Sequence, residues 1–282
     1  MKVLVSAFAC NPYRGSEEGV GWGWVKAIAP YHDLYVITAE FHRADIEKAI
    51  AENPDALSRV RFFYVPHKPW HYAPTPGWMR IEMSCLKPLM NLAYVTWLKD
   101  AYRLGVQLHR EYHFDLVHQL TYIGFRFAGH LWKLDVPFVW GPVGGFADTP
   151  WRFLPMLGVR GIVHYGGRNV INSLQKRFLR TPKRAFRKAG QAGGIIAPTE
   201  DIRSQISRWY GQQSEVICEI GLPPKVAGNH SIRKSGEPLK IVWSGFHYPG
   251  KGLPFLLKAI SRLPRGVIWK LSILGRGPYT RK

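Results

Sequence analysis

The sequence predicts an α/β fold on a parallel sheet: one complete set of strands and helices, then the opening of a second. Three observations carry this. Short, nearly continuous apolar runs alternate with stretches of helical period, as strands buried on both faces of a parallel sheet require. Glycine-rich turns follow several of those runs, where such sheets bind ligands. A stretch rich in Pro, Gly and charge, residues 221–238, interrupts the pattern before it restarts.

The first strand is the apolar run Val3, Leu4, Val5, followed by the loop CNPYRGSEEGVGW. A helix is expected over 17–29, with Ser16 as N-cap and two glutamates in its first turn. The strand LYVIT (34–38), a helix over 44–51 and the strand RVRFFYV (59–65) follow. Residues 66–88 break this rhythm with Pro, Trp, Tyr and Met. A long helix over 89–112 leads to FDLVH (114–118), a helix over 124–133 and the strand PFVW (137–140), which ends in GPVGG. A basic helical region spans 161–188. The strand GGIIAP (193–198), a helix over 200–210 and the strand EVICEI close the unit.

After 221–238 come LKIVWS (239–244), the loop GFHYPGK, a helix over 253–263 and the strand VIWKLSILG (267–275). The expected domains are therefore 1–220, a linker at 221–238, and an incomplete unit at 239–282. So short a final segment cannot form a core alone. The expectation is a truncated second domain, or a segment that packs on the first.

The chain has 282 residues, 46% hydrophobic and 21% charged, as in a globular protein. Cys10, Cys85 and Cys218 show neither metal-ligand nor disulfide spacing and read as reduced, cytosolic thiols. The apolar start is too short for a signal peptide, and no apolar run reaches the roughly 18 residues of a membrane span. The net charge of +20 favours phosphate-bearing partners. Half of it comes from ten Lys or Arg between Asp148 and Glu200, where no acid occurs. The cations Lys176, Arg177, Arg180, Lys183, Arg184, Arg187 and Lys188, with Phe178 and Phe186 among them, suit an anionic lipid surface. Nucleic acid and a plain solvated helix face are the alternatives, and lipid is preferred because segment 66–88 supplies aromatic residues for insertion.

Four places carry candidate chemistry. Gly15, Ser16, Glu17 and Gly19 lie in the first loop and helix start, where a backbone free of side chains and a helix N-terminus favour an anion. Their spacing is not GxGxxG; Glu40 after the second strand keeps a dinucleotide reading open beside a packing role. His118 ends FDLVH, where an imidazole can take a proton or hold a hydroxyl, though a histidine at a strand end more often serves structure. Gly144 and Gly145 of GPVGG admit a ligand to main-chain N–H groups, or make a tight turn. Ser244 and Gly245 leave room at a strand end, and Lys251 precedes a helix start, a pairing that suits a pyrophosphate.

In order and spacing, GSEEGVGW, DLVHQL, PFVWGPVGG, IIAPTEDIRSQI and WSGFHYPGKGLPFLLKAI followed by LSILGRGP resemble the GT-B glycosyltransferases of group 1, or family 4. The resemblance covers the whole chain. It implies a Rossmann-like acceptor domain and the first β-α-β of a Rossmann-like donor domain. It implies a nucleotide-sugar donor, transfer with retention, no cofactor and no metal ion. Gly15 and Ser16 match a glycine pair near phosphates and acceptor, His118 an active-site histidine, and Lys251 a pyrophosphate-binding lysine. Many members carry an arginine where this chain has Gly245 and Phe246, so either the donor contact is weaker or His247 or another cation substitutes. The family's donor-gripping glutamate pair lies further along than this sequence reaches.

The expectation is a hexosyltransferase-type enzyme acting on a glycan or lipid-linked acceptor. It is placed in the cytoplasm, at the inner face of the cell membrane, with little activity from this chain alone. The rival is a non-catalytic acceptor- or lipid-binding module that serves a separate catalytic subunit.

Overall fold

The computed structural model describes residues 1–66, 87–221, 233–234, 236–247, 249–264, 266–277 and 280. Most of the aromatic segment expected at 66–88, most of the linker expected at 221–238, and Cys85 lie outside the described residues. Contacts divide the chain into Met1–Ala147 with Asn172–Gly221, and Asp148–Ile171 with Leu222–Lys282.

The first unit opens β1 (Lys2–Ala7), α1 (Glu17–Ile28), β2 (Asp33–Ala39), α2 (Arg43–Glu52), β3 (Val60–Val65), α3 (Lys87–Tyr112), β4 (Leu116–Thr121) and β5 (Phe138–Trp140). The five strands form one parallel sheet in the order β3-β2-β1-β4-β5. This is the α/β, Rossmann-like layout expected from the sequence.

The alternation within each strand explains the layers. Val3, Val5, Leu34 and Val36 point to one face and pack with Val25 of α1, and half-buried Trp22, Trp24 and Ile50 join them. Leu4, Tyr35 and Ile37 point to the other and pack with Tyr94, Trp97, Leu98 and Ala101 of α3. Each large side chain so buried contributes about 1.5–3 kcal/mol, which is why the strands read as unbroken apolar runs.

Further along lie α4 (Gly158–Phe178), α5 (Arg180–Gln191), β6 (Ile196–Ala197), α6 (Glu200–Tyr210) and β7 (Glu215–Val216). The strands β6 and β7 pair in parallel, and a single bridge from Trp140 to Ile195 ties them to β5. Thr199 caps α6 by accepting the Ile202 N–H, and Gly211 ends it at φ 64°. Both strands are much shorter than the runs GGIIAP and EVICEI suggested.

The helix expected over 124–133 is not formed; only a 3-10 turn at Leu131–Lys133 is present. The reason is competition for backbone groups. Phe125 donates its N–H to the Gly144 carbonyl, Gly124 bridges to Gly144, and Gly129 sits at φ 61°. A chain pinned to the neighbouring loop in this way cannot close i→i−4 bonds.

In the second unit β8 (Leu239–Ser244), α7 (Leu253–Ile260) and β9 (Trp269–Leu274) form a parallel β-α-β. Val242, Ile268, Ile273 and Leu274 are exposed. In the same unit, Asn169 of α4 holds Thr149 by accepting its N–H and donating to its carbonyl.

Helix α1 lies hard against the turn that leaves β1. A methyl group at Gly21 would fall 2.0 Å from the Ala9 carbonyl oxygen, whereas at Gly23 it would meet open space. Gly21→Ala is expected to cost about 1–3 kcal/mol by overpacking, and Gly23→Ala to leave stability equal or slightly higher. Thermal melting of the two variants beside the parent chain checks this.

Candidate functional site

The sheet order reverses between β1 and β4, and ligands of open α/β sheets bind outside the carboxyl ends of strands at such a point. Here the two strand exits are clasped. Thr121 Oγ1 accepts the Ala9 N–H at 3.1 Å, and the Tyr94 hydroxyl donates to the Thr121 carbonyl at 2.9 Å. Tyr94 Oη also accepts the Tyr122 N–H at 2.7 Å, and Gln119 Nε2 donates to the Thr121 carbonyl at 2.9 Å. These groups are buried or half-buried, so the bonds between them fix the exits; among the described residues Gln119 Oε1 alone of the clasp's side-chain atoms has no partner.

The far side of the first loop is anchored on α2. Buried Asn11 donates Nδ2 to Asp45 Oδ2 at 2.7 Å and lies 3.2 Å from His42 Nδ1. Burial, aided by the Arg14 cation, pushes His42 down to about 4, so its ring is neutral and accepts from Asn11.

Glu17, the first residue of α1, stands where the two exits meet. Its carboxyl accepts the backbone N–H of Ile123, two residues beyond the end of β4. Burial, and then the neighbouring Glu219 carboxylate, raise Glu17 to about 7, against the opposing pull of that hydrogen bond. Oε2 of Glu17 and Oε2 of Glu219 are both buried without a hydrogen-bond partner among the described residues.

A cleft of about 600 Å³ runs from this point along α1. One wall is Gly15, Ser16, Gly19, Val20, Gly23 and Trp24, continuing to Ile28; the other is Ile217–Gly221. Trp24 spans it, donating Nε1–H to the Glu219 carbonyl at 3.2 Å. Its ring also meets His118 edge-on, with centroids 5.8 Å apart.

Gly15, Ser16 and Gly19 thus line a cavity, with Glu17 beside it. Ser16 takes the N-cap position of α1 at φ 61°, but its side chain makes no capping hydrogen bond. The expected cap is therefore corrected: the Ser16 backbone, at φ 61°, is not in the extended conformation from which an N-cap side chain reaches the helix amides. Glu17 and Glu18 stand in the first turn, so that helix end already carries acidic side chains of its own.

His118 is placed differently from expectation. β4 runs on to Thr121, so the histidine lies inside the strand, 3% exposed, and its Nε2 donates to the Gly141 carbonyl at 2.8 Å. Burial pushes it down to about 4, so it is neutral near physiological pH. It ties β4 to the GPVGG turn. In that turn Gly144 donates its N–H to the Ile123 carbonyl and Val143 to Ile196. The Gly144 amide is therefore already spent, which corrects the expectation of a main-chain group free for a ligand there; Gly145, at φ 78°, makes the turn.

In the second unit Ser244 ends β8, and the N–H groups of Gly245 and His247 go to the carbonyls of Leu274 and Arg276. His247 is buried with Nδ1 on Thr280 Oγ1 at 3.1 Å. Lys251 is exposed and precedes α7, whose N-cap Gly252 has φ 77°.

Of the basic residues, Arg177, Arg180, Lys183, Arg184 and Arg187 are exposed and Lys188 is half-buried. Lys176 is not on the surface. It is 1% exposed, 3.3 Å from Gln205 Oε1 and over the Trp209 ring. Its position on α4 matches the inward side, which corrects its place among the surface cations. α5 turns Pro182, Ala185, Phe186 and Ala189 into the core, so Phe186 does not face solvent, while Leu174 and Phe178 on α4 do.

Glu219, Trp24 and Tyr94 belong to the site without having been singled out from the sequence. Trp24 was within reach, since 17, 20, 24 and 28 recur at helical spacing along one face. Glu219 had no such signal; only the folded chain brings it to α1. Among the described residues, no group of three His, Cys, Asp or Glu side chains has the arrangement of a metal site.

No protein-family profile and no curated protein matches this chain. Three of the solved structures similar to it are the following. A Glycyrrhiza uralensis protein, UGT73P12, complexed with glycyrrhetinic acid 3-O-monoglucuronide, has 14% identity and a TM-score of 0.46, covering 76% of this chain and 48% of its own. Anabaena HepE in complex with UDP has 14% identity and a TM-score of 0.46, covering 99% and 61%. The Streptomyces sp. SF2575 glycosyltransferase SsfS6, complexed with thymidine diphosphate, has 15% identity and a TM-score of 0.34, covering 98% and 71%. The chain spans about half the length of the first and three-fifths of the second.

The raised Glu17 carboxyl has a consequence for stability. The folded chain binds this proton more tightly than the unfolded one, so the stabilising contribution is fully present below the ordinary carboxylate range. It is lost as pH rises through about 7. Glu17→Gln is expected to flatten the fall in melting temperature across that window; an unchanged profile contradicts the assignment.

Proposed function

We propose that this chain belongs to a retaining, nucleotide-sugar-dependent glycosyltransferase of group 1. Its first unit takes the acceptor and its second unit meets the donor diphosphate. The reading rests above all on the cleft along α1, lined by Gly15 and Ser16 beside Glu17, whose carboxyl reaches the exit of β4 at Ile123. The ordered motifs from GSEEGVGW to LSILGRGP support it from the sequence side.

In this reading the cleft along α1 holds the acceptor with a hydroxyl at the Glu17 end. His118 positions the loop after β5 rather than touching the substrate. Lys251 meets the diphosphate, where negative charge grows as the glycosyl bond breaks. Basic side chains, not a metal ion, balance that charge. The sugar is a hexose, and the acceptor is a glycan or a lipid-linked molecule.

Calorimetric titration with UDP and with TDP tests the donor half. At least one is expected to bind, and Lys251→Ala to weaken it by about tenfold, the worth of one charge-assisted contact. Equal affinity of parent and variant would overturn the assignment of Lys251.

The site of action is the inner face of the cell membrane. No described helix is long and apolar enough to cross a membrane. Arg177, Arg180, Lys183, Arg184 and Arg187 instead form an exposed basic face beside exposed Leu174 and Phe178. Each cation held near an anionic surface contributes about 1 kcal/mol. The chain is expected to float with phosphatidylserine-containing vesicles and not with neutral ones, and the combined change of Arg180, Arg184 and Arg187 to Glu to abolish flotation. Equal flotation with neutral vesicles would contradict the electrostatic part of this reading.

A further inference from the structure

The cleft along α1 is chemically one-sided. Val20, Trp24, Ile217 and Ile220 give it an apolar body. Among the described residues, its one carboxylate is Glu219, and no Lys, Arg or His lines it. At the end where the strands β1 and β4 exit, Glu17 lies close enough to Glu219 for the two carboxyls to interact. Each carries a buried oxygen with no hydrogen-bond partner among the described residues.

A buried oxygen without a donor is costly, and a ligand that supplies an O–H removes the cost. A ligand that brings a phosphate does the reverse. It places a further negative charge beside Glu219 in a partly desolvated space, with no lining cation among the described residues to offset it.

We infer that Glu17 and Glu219 set acceptor specificity: the cleft takes an uncharged, hydroxyl-bearing amphiphile, and rejects a phosphate-linked one. The apolar tail lies along Trp24 and Ile220, and a hydroxyl of the head donates to the carboxyl pair. This rests on reading the cleft as the acceptor site and narrows that reading to one chemical class.

Two probes with the same tail separate the possibilities: n-octyl β-D-glucoside below its micellar concentration, and n-octyl phosphate. Each is titrated into the purified chain at neutral pH while the Trp24 indole N–H signal is followed by NMR. The signal is identified from a Trp24→Phe variant. The glucoside is expected to shift it and to bind about tenfold more tightly than the phosphate, the scale of one hydrogen bond to a charged group. Glu219→Gln, which keeps the shape and removes the charge, is expected to bring the two probes towards equal affinity.

Octyl phosphate binding as tightly as the glucoside, or a ratio unmoved by Glu219→Gln, overturns the specificity while leaving the cleft as a ligand site. If neither probe moves the Trp24 signal, the acceptor reading of the cleft fails as well.

Discussion

The structure depends on the clasp between the exits of β1 and β4. Thr121 bonds to Tyr94, Gln119 and the Ala9 backbone in the core, and Glu17 reaches across to Ile123. A parallel sheet whose order reverses leaves a natural gap at this point. Here hydrogen bonds join the two exits, and the cleft lies along α1, between it and Ile217–Gly221. Gly21 lets the helix approach the Ala9 turn closely enough for Glu17 to make its reach. Packing, turn and titration behaviour are therefore one constraint seen three ways.

The layered fold was legible because the strands are buried on both faces. Val3-Leu4-Val5 and Leu34-Tyr35-Val36 read as unbroken apolar runs, since each alternate side chain meets a different helix layer. The helix 200–210 was legible because Thr199 and Gly211 punctuate it chemically. The supposed helix over 124–133 was not. Its apolar residues have no periodicity that distinguishes a helix from a loop pinned by long-range backbone bonds to Gly144.

The site was partly legible for the same reason. Loop glycines announced where the chain can come close to a ligand, and Gly15 and Gly19 do line the cleft. Whether an amide or an imidazole is free to act depends on partners far along the chain. His118 is committed to Gly141 and the Gly144 amide to Ile123, pairings that no local pattern encodes. Lys176 shows the same limit: in a run of cations, only the folded helix reveals which one points at Trp209. The acid with the most telling environment, Glu17, was noticed as part of a loop. Its raised pKa comes from burial and from Glu219, some two hundred residues away in sequence.

The central claim is a division of labour, with the acceptor on the first unit and the donor diphosphate on the second. Backbone amide shift mapping of the isotopically labelled chain with UDP tests it most directly. The account predicts that UDP shifts the amides around Ser244 to Leu253 and leaves those of Gly15 to Ile28 in place. Shifts confined to Gly15–Ile28 would contradict it, because the first loop would then be the nucleotide site.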